Sequence, residues 1–178
     1  MLEGIVRESI GKKGTKALRR DGYLIANIYG KGLENINAAF KDNEYIRAVR
    51  NKETLALPIS VNGNEMNVVV QSYESHAVTG KLLHVDLMVA QPGVVTHYMV
   101  PVKAEGEAIG VKNKGLLNVS KTRLRVQAKI EDLPSAIVID VTDMDVGDAK
   151  LIRDIEVSDN VKFTDSERVA VLSIIKAK

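Results

Sequence analysis

Two residue types are missing from this chain of 178 residues, and a third class is scarce. Cysteine is absent, which excludes disulfide bonds and thiolate metal sites. Tryptophan is also absent and aromatic residues make up only 4% of the chain, so aliphatic side chains must build the core. Apolar residues reach 45%, which is enough for a sizeable core in one large domain or in two small ones.

The chain also lacks an apolar run long enough to cross a membrane. Its first ten residues carry Glu3, Arg7 and Glu8, a pattern that is not typical of a secretory signal peptide. We therefore expect a cytoplasmic protein with no membrane partner.

Patterns typical of hydrolytic enzymes are missing as well. The chain has no Gly-x-Ser-x-Gly motif and no cysteine nucleophile. Asp143 and Asp145 lie in a turn-rich region, where carboxylates usually support turns. We predict that the protein is not an enzyme, with no catalytic residues, no cofactor and no small-molecule substrate.

Positive charge is concentrated at one end of the chain. The net charge is only +2, but the segment from Arg7 to Arg20 holds six basic residues and one acidic residue. From Gly93 onward, 13 basic residues are balanced by 13 acidic ones. This asymmetry suggests a polyanionic partner for the N-terminal end, although a solvated basic loop fits the charge alone equally well.

Strand patterns dominate the rest of the sequence. Asn62-Gly63 is a typical hairpin turn, and Pro58 favours an edge position for the strand before that turn. Residues that alternate in polarity or form short β-branched runs predict eight strands, at 24–29, 55–61, 66–73, 82–89, 94–104, 122–130, 136–141 and 168–175.

Helices are predicted to be few and short. Thr15 is expected to cap a helix that runs through Arg20 and ends at Gly22. A second helix is predicted over 43–50, where Tyr45 and Val49 form an apolar stripe.

The turn Gln91-Pro92-Gly93 is the best candidate for a domain boundary. It divides the chain into residues 1–92 and 93–178. We predict a mainly β protein with a few short helices, composed of an N-terminal antiparallel β-barrel and a second β-rich domain.

A glycine-containing basic segment is the first candidate site. Glycine permits close approach to phosphates, and Lys and Arg neutralise them. The spacing disfavours a nucleotide-binding P-loop, because Gly11 and Gly14 are too close together for that motif. The residues of interest are Lys12, Lys13, Gly14, Lys16, Arg19 and Arg20.

A histidine and an acid on one strand form the second candidate site. His84 and Asp86 share a face of the predicted strand, where they can be a structural pair, part of a metal site or RNA contacts. A metal site is disfavoured because no third and fourth ligand are evident, and the structural pair is the simplest interpretation. Tyr29, at a strand end, can pack on the core rim or contact a ribose or base.

These motifs together resemble one family. Arg7, the segment 11–20 and Ile28-Tyr29-Gly30 are similar to the N-terminal signature of the bacterial 5S-rRNA-binding ribosomal protein numbered twenty-five in the large subunit. Gln71 and the run 80–86 resemble its second signature. The second half resembles the long two-domain form, also called the general stress protein Ctc.

The resemblance implies a ribosome-associated protein whose barrel binds the loop E region of 5S rRNA across the wide minor groove of A-form RNA. Its other partners would be neighbouring large-subunit components, and the near-neutral second domain would contact protein or other ribosomal surface. The matching contact residues are Arg7, Arg19, Arg20, Tyr29, His84 and Asp86. The predicted RNA-binding set also includes Lys12, Lys13, Gly14 and Lys16 of the basic segment, together with Lys81.

Two other functions remain open from the sequence. One is a stress-associated RNA-binding protein that joins the ribosome only under some conditions. The other is a small β-rich metal-dependent hydrolase that uses His84 and Asp86. The sequence also departs from the family at Ile25, at His76-Ala77 and at Leu87, where Pro, Pro and Phe respectively are common.

Overall fold

The computed structural model describes residues 1–52, 54–158 and 160–176. The chain forms two compact units, Met1–Val94 and Val95–Lys178. The boundary predicted after residue 92 lies beside this division. Each unit has its own buried core, and strands predominate over a few short helices in both, which confirms the predicted fold class.

Six strands and two helices make up the first unit within residues 1–52 and 54–94. In chain order they are β1 Leu2–Val6, α1 Lys12–Arg20, β2 Tyr23–Gly30, β3 Leu33–Lys41, α2 Asp42–Arg50, β4 Leu57–Val61, β5 Asn64–Ser75 and β6 Leu82–Val89.

The six strands close into a barrel in the order β1-β3-β2-β6-β5-β4. Most neighbouring strands in this part of the chain are antiparallel, whereas β2 pairs with β6 and β1 pairs with β4 in parallel. Parallel neighbours need a long connection, and here each parallel pair is separated in sequence by several other elements.

Alternate side chains of the strands fill the barrel interior. Phe40 is among the largest fully buried side chains, and Gly4 lies against its ring, where a Cβ would clash. Tyr45 of α2 is buried with its ring centroid 6.5 Å from that of Phe40. Ile46 and Val49 pack against the same core, so the predicted apolar stripe of this helix is confirmed.

The outside of the barrel is also partly covered. Ile25 and Ala39 are register partners and lie outside the interior cluster, yet they are only 2% and 0% exposed. The helix α1 contacts β2 and therefore lies on this outer side. Ile25 is thus a buried packing residue.

The Asn62-Gly63 turn is confirmed, because both residues have positive φ angles, 51° and 79°. The edge position predicted from Pro58 is confirmed locally but is wrong for the strand as a whole. Closure of the barrel gives β4 neighbours on both sides, β5 and β1. Pro58 is tolerated because the pairing with β1 covers only Ile59–Val61, so no ladder bond on that side requires its missing N–H.

The predicted start of the first helix is also wrong. The helix begins at Lys12, with Gly11 at its N-cap, and Thr15 lies inside it. The hydroxyl of Thr15 accepts a hydrogen bond from Arg7 instead of capping the helix. The predicted end is confirmed, because Gly22 has a φ of 84° and β2 starts at the next residue.

The second unit contains seven strands and one short α-helix within residues 95–158 and 160–176. They are β7 Thr96–Glu105, α3 Ile109–Lys112, β8 Gly115–Val119, β9 Arg123–Ala128, β10 Ile137–Asp140, β11 Ala149–Leu151, β12 Lys162–Phe163 and β13 Ala170–Lys176.

These strands form two sheets, in the orders β10-β7-β9-β12 and β11-β13-β8. Tyr98, Leu124, Ile152 and Leu172 are among the fully buried side chains of this unit. Gly110 and Gly115 belong to α3 and β8. A Cβ at either position would approach backbone atoms within 2.8 Å or less, so glycine permits the close packing there.

In the described part of the chain, no helix is both long enough and apolar enough to pass through a membrane.

Candidate nucleic-acid interface

The basic helix α1 is fastened to the barrel at two points. At the first, Nη2 of Arg7 donates a hydrogen bond to Oγ1 of Thr15 at 2.6 Å and a longer one to the carbonyl oxygen of Ser9 at 3.4 Å. Arg7 follows β1 and is only 9% exposed. Its guanidinium therefore connects the barrel wall to the helix and is not freely presented to solvent.

Arg19 makes the second attachment. Its Nε and Nη2 donate to the carbonyl oxygen of Leu83 in β6, at 3.2 and 2.9 Å. Burial, and then the neighbouring charge of Arg19, lowers the pKa of Arg7 from its ordinary value. The two arginines are therefore close to each other, and α1 is anchored next to His84.

The other basic side chains of α1 are exposed, namely Lys12, Lys13, Lys16 and Arg20. Arg20 is 82% exposed, and its Nε lies 4.0 Å from Oδ1 of Asp21. Such an exposed pair contributes little stability, so the guanidinium can exchange this carboxylate for another anion. Because α1 contains no acidic residue, it presents a purely positive surface.

Gly14 lies in a close contact within the protein, whereas Lys81 is exposed at a loop. A Cβ at position 14 would lie 2.7 Å from Oγ of Ser9 and 3.2 Å from its carbonyl oxygen, so Gly14 allows the chain before α1 to pack closely on it. Lys81 is exposed beside the β5–β6 hairpin loop, where its carbonyl oxygen accepts a backbone hydrogen bond from His76.

His84 and Asp86 lie on the outer face of β6, because Val85 and Leu87 between and beside them point into the core. Nδ1 of His84 is 3.6 Å from Oδ1 of Asp86, and the side chains are 22% and 34% exposed. The hydroxyl of Ser72 donates to the other oxygen of Asp86. Within the described residues, no group of three or more histidine and acidic side chains is arranged to hold a metal.

Tyr29 shares this outer face. It pairs with Met88 of β6 in the parallel register that also sets Asn27 opposite Asp86. Burial, and then the negative charge of Asp86, raises the pKa of Tyr29 above its ordinary value. The phenol therefore stays protonated at neutral pH and can donate a hydrogen bond.

The fold thus brings together most of the residues singled out in the sequence. Arg19 reaches the residue before His84, and Tyr29 lies close enough to Asp86 for an electrostatic effect. The exposed cations of α1 lie along the same side of the barrel. Arg7 is the exception, since it is buried beneath the helix.

Sequence reasoning missed a row of polar side chains on this face. Asn27 pairs with Asn37 of β3 on one side and with Asp86 on the other, and Asp86 pairs with Ser72 of β5. The signal was a single asparagine in the middle of an otherwise apolar strand. Its meaning depends on register between distant strands, which the sequence does not show.

Comparisons with known proteins identify the family to which the chain belongs. The sequence model described as the Ribosomal L25p family matches residues 2–87, and that of the C-terminal domain of ribosomal protein TL5 matches residues 95–178. Together they cover nearly the whole chain.

Full-length relatives are also similar. The large ribosomal subunit protein bL25 of Sulfurimonas denitrificans is 75% identical over 178 residues, which is all of both chains. The proteins of the same name from a Nitratiruptor species and from Campylobacter lari are 61% and 60% identical, again over both full lengths. The chain therefore belongs to the bL25 family of large-subunit ribosomal proteins, in its two-domain form.

Proposed function

We propose that the first domain, residues 1–92, binds 5S ribosomal RNA in its loop E region. As a bL25-family member the chain is a structural constituent of the large ribosomal subunit and not an enzyme, which rules out the hydrolase alternative. Its partners are therefore ribosomal RNA and other ribosomal components.

The observation that carries the proposal is the attachment of α1 to the barrel. Arg7 and Arg19 hold the helix through Thr15 and the carbonyl oxygen of Leu83, so its exposed cations are presented from a fixed position. A helix whose position is fixed in advance adds no cost of backbone ordering when its cations meet phosphates. The side chains in question are Lys12, Lys13, Lys16 and Arg20.

The barrel face beside α1 supplies groups of another kind. Tyr29 and His84 offer rings and hydrogen-bond donors, while Asp86 accepts hydrogen bonds. The minor groove of A-form RNA is wide and shallow and is lined by 2′-hydroxyls that both donate and accept. A gently curved barrel wall with mixed polar groups suits that groove better than it suits a deep, narrow one.

We propose a different role for residues 93–178. Basic and acidic residues are equal in number there, so the domain as a whole, unlike α1, has no excess of positive charge. Phosphate contacts require an excess of positive charge. This domain is therefore suited to contacts with protein or with other ribosomal surface.

Binding of 5S rRNA over a range of salt concentrations tests the proposal. Replacing the four exposed basic residues of α1 with glutamine should weaken binding and flatten the dependence of log affinity on log salt, by roughly 0.7 to 0.9 for each phosphate that is no longer neutralised. The fold should persist, because these side chains are exposed. Four exposed lysines of the second unit replaced together provide a charge-matched control: Lys103, Lys114, Lys121 and Lys129.

The proposal predicts unchanged binding for the control variant. An α1 variant that binds 5S rRNA with wild-type affinity and salt dependence would show that this helix does not bind the RNA. Equal affinity of the wild-type protein for 5S rRNA and for a size-matched structured RNA would show that the ribosomal partner is another one.

A further inference from the structure

The polar row on the outer barrel face crosses five neighbouring chain segments. The backbone N–H of Arg7 donates to the carbonyl oxygen of Asn37 at 2.8 Å. The row therefore begins beside the residue that attaches α1 to the barrel. From there the register runs through Asn27 and Asp86 to Ser72. Side chains at register partners point to the same face of a sheet, so these groups form one continuous strip.

This strip lies directly beside the area of the outer barrel face that α1 covers, and it is itself partly exposed. Two residues away on the same strands, Ile25 and Ala39 are 2% and 0% exposed. Asn27 and Asn37 remain partly exposed, and Tyr29 lies two residues further along β2. A molecule that meets the cations of α1 and the ring of Tyr29 must therefore pass over the two asparagines.

The two carboxamides have no side-chain partner in the part of the chain that the structure describes. Ser72 and His84 both contact Asp86, but neither Asn27 nor Asn37 makes a side-chain hydrogen bond within residues 1–52, 54–158 and 160–176. A partly buried amide without a partner loses hydrogen bonds to water when a second surface covers it. Such a group favours a ligand that replaces those bonds.

We propose that Asn27 and Asn37 form a neutral recognition pair that reads base edges and 2′-hydroxyls of the bound RNA, and this inference rests on the proposed function. Each carboxamide presents donors and an acceptor, which match the donors and acceptors in an RNA minor groove. The cations of α1 meet phosphates, which are the same in every sequence. The asparagine pair therefore determines which RNA is preferred, and α1 determines how strongly any RNA is held.

The test compares affinity with selectivity in the full-length protein. Leucine is close to asparagine in size but has no hydrogen-bonding group. In Asn27→Leu and Asn37→Leu, the affinity for 5S rRNA should fall about fivefold to tenfold each, and the affinity for a size-matched structured RNA should hardly change. The salt dependence should stay as in wild type, because no charge is removed.

Asn67→Leu is the matched control. Asn67 is an exposed asparagine of the same barrel, opposite Pro58 and away from the polar row, so its replacement should leave both affinities unchanged. Circular dichroism and thermal unfolding check that each variant is folded. If either leucine variant does not fold, Asn27→Ala or Asn37→Ala also removes the carboxamide without changing the charge and should likewise reduce the preference for 5S rRNA.

The two proposals fail in different ways. If the folded variants keep the wild-type ratio of affinities for 5S rRNA and control RNA, the recognition pair is overturned while the proposed function stands. If the wild-type protein has no preference for 5S rRNA, both are overturned.

Discussion

The guanidinium of Arg7 is held between the barrel and α1, with Nη2 bonded to Thr15. Its Nε is buried and makes no hydrogen bond within the described part of the chain. The sequence suggested that Arg7 contacts RNA, and that role stays a prediction. Its surroundings favour a positioning role, because a charge at 9% exposure is poorly placed to reach a phosphate.

Thr15→Val tests this positioning role. It removes the oxygen that accepts from Arg7 and leaves a buried charge poorly satisfied, so the free energy of unfolding should fall by about 1.5–3 kcal/mol. Arg7→Met removes the charge together with the bond and should cost less than Thr15→Val. Equilibrium unfolding in urea measures both changes.

The double variant provides the decisive comparison. With the charge gone, the loss of the threonine hydroxyl should matter little, so Arg7→Met with Thr15→Val should resemble Arg7→Met alone. Thr122→Val, at an exposed position of the second unit, is the control and should change stability by less than about 0.5 kcal/mol. Additive effects of the two substitutions would show that Arg7 and Thr15 do not act together in holding α1 on the barrel.

At the scale of one element, α1 has a poorly capped N-terminus but packs closely against the segment that precedes it. Gly11 occupies the N-cap without a side-chain hydrogen bond, and no acidic residue lies in the first turn. Gly14 lowers helix propensity, yet it allows the close approach of Ser9. The helix depends on its attachment to the barrel more than on its own sequence.

Opposite effects are therefore expected from two substitutions at glycine in this helix. Gly14→Ala should lower the free energy of unfolding by about 1 kcal/mol or more, because the clash with Ser9 outweighs a gain in helix propensity of about 1 kcal/mol. Gly11→Ser adds a capping hydroxyl where nothing lies within 4 Å of a new Cβ, and should raise stability by a few tenths of a kcal/mol, about 0.3. Urea unfolding monitored by circular dichroism measures both.

The informative result is which of the two variants has the larger free energy of unfolding. A Gly14→Ala protein more stable than wild type would mean that Ser9 moves away easily and that the close contact is unimportant. Gly11→Ser also serves as the control for a changed glycine near the same end of the helix.

At the scale of the whole molecule, each unit buries its own core. The barrel interior is formed by residues of the first unit, among them Phe40, Ile59 and Leu87. Tyr98, Leu124 and Leu172 are fully buried in the second unit. Separate cores suggest that each unit can fold alone, and the segregation of charge suggests that only one of them binds RNA.

Two fragments divided at the unit boundary test this partition. Residues 1–94 should be folded and should bind 5S rRNA with about the affinity and salt dependence of the full chain. Residues 95–178 should be folded and should not bind at the same concentrations. Gel shift measures binding, and circular dichroism verifies the folding of each fragment. Binding by the second fragment alone would reverse the proposed division of roles.

Several features of the protein follow from local sequence. The turn at Asn62-Gly63 is determined by two residues that adopt positive φ angles readily. The alternation that puts His84 and Asp86 on one face follows from strand geometry, and the positive charge of α1 follows from its composition. These features depend on residues adjacent in the chain, so the sequence alone determined them.

Other features were decided only by tertiary structure. The strands β1 and β3 have weak patterns of their own and are stabilised by neighbours, and Pro58 lies in a strand with partners on both sides because the barrel closes. The bond from Arg19 to Leu83 spans 64 positions, and the polar row joins residues 27, 37, 72 and 86. Register between distant strands is set by how the whole barrel packs, which is why local sequence could not reveal these contacts.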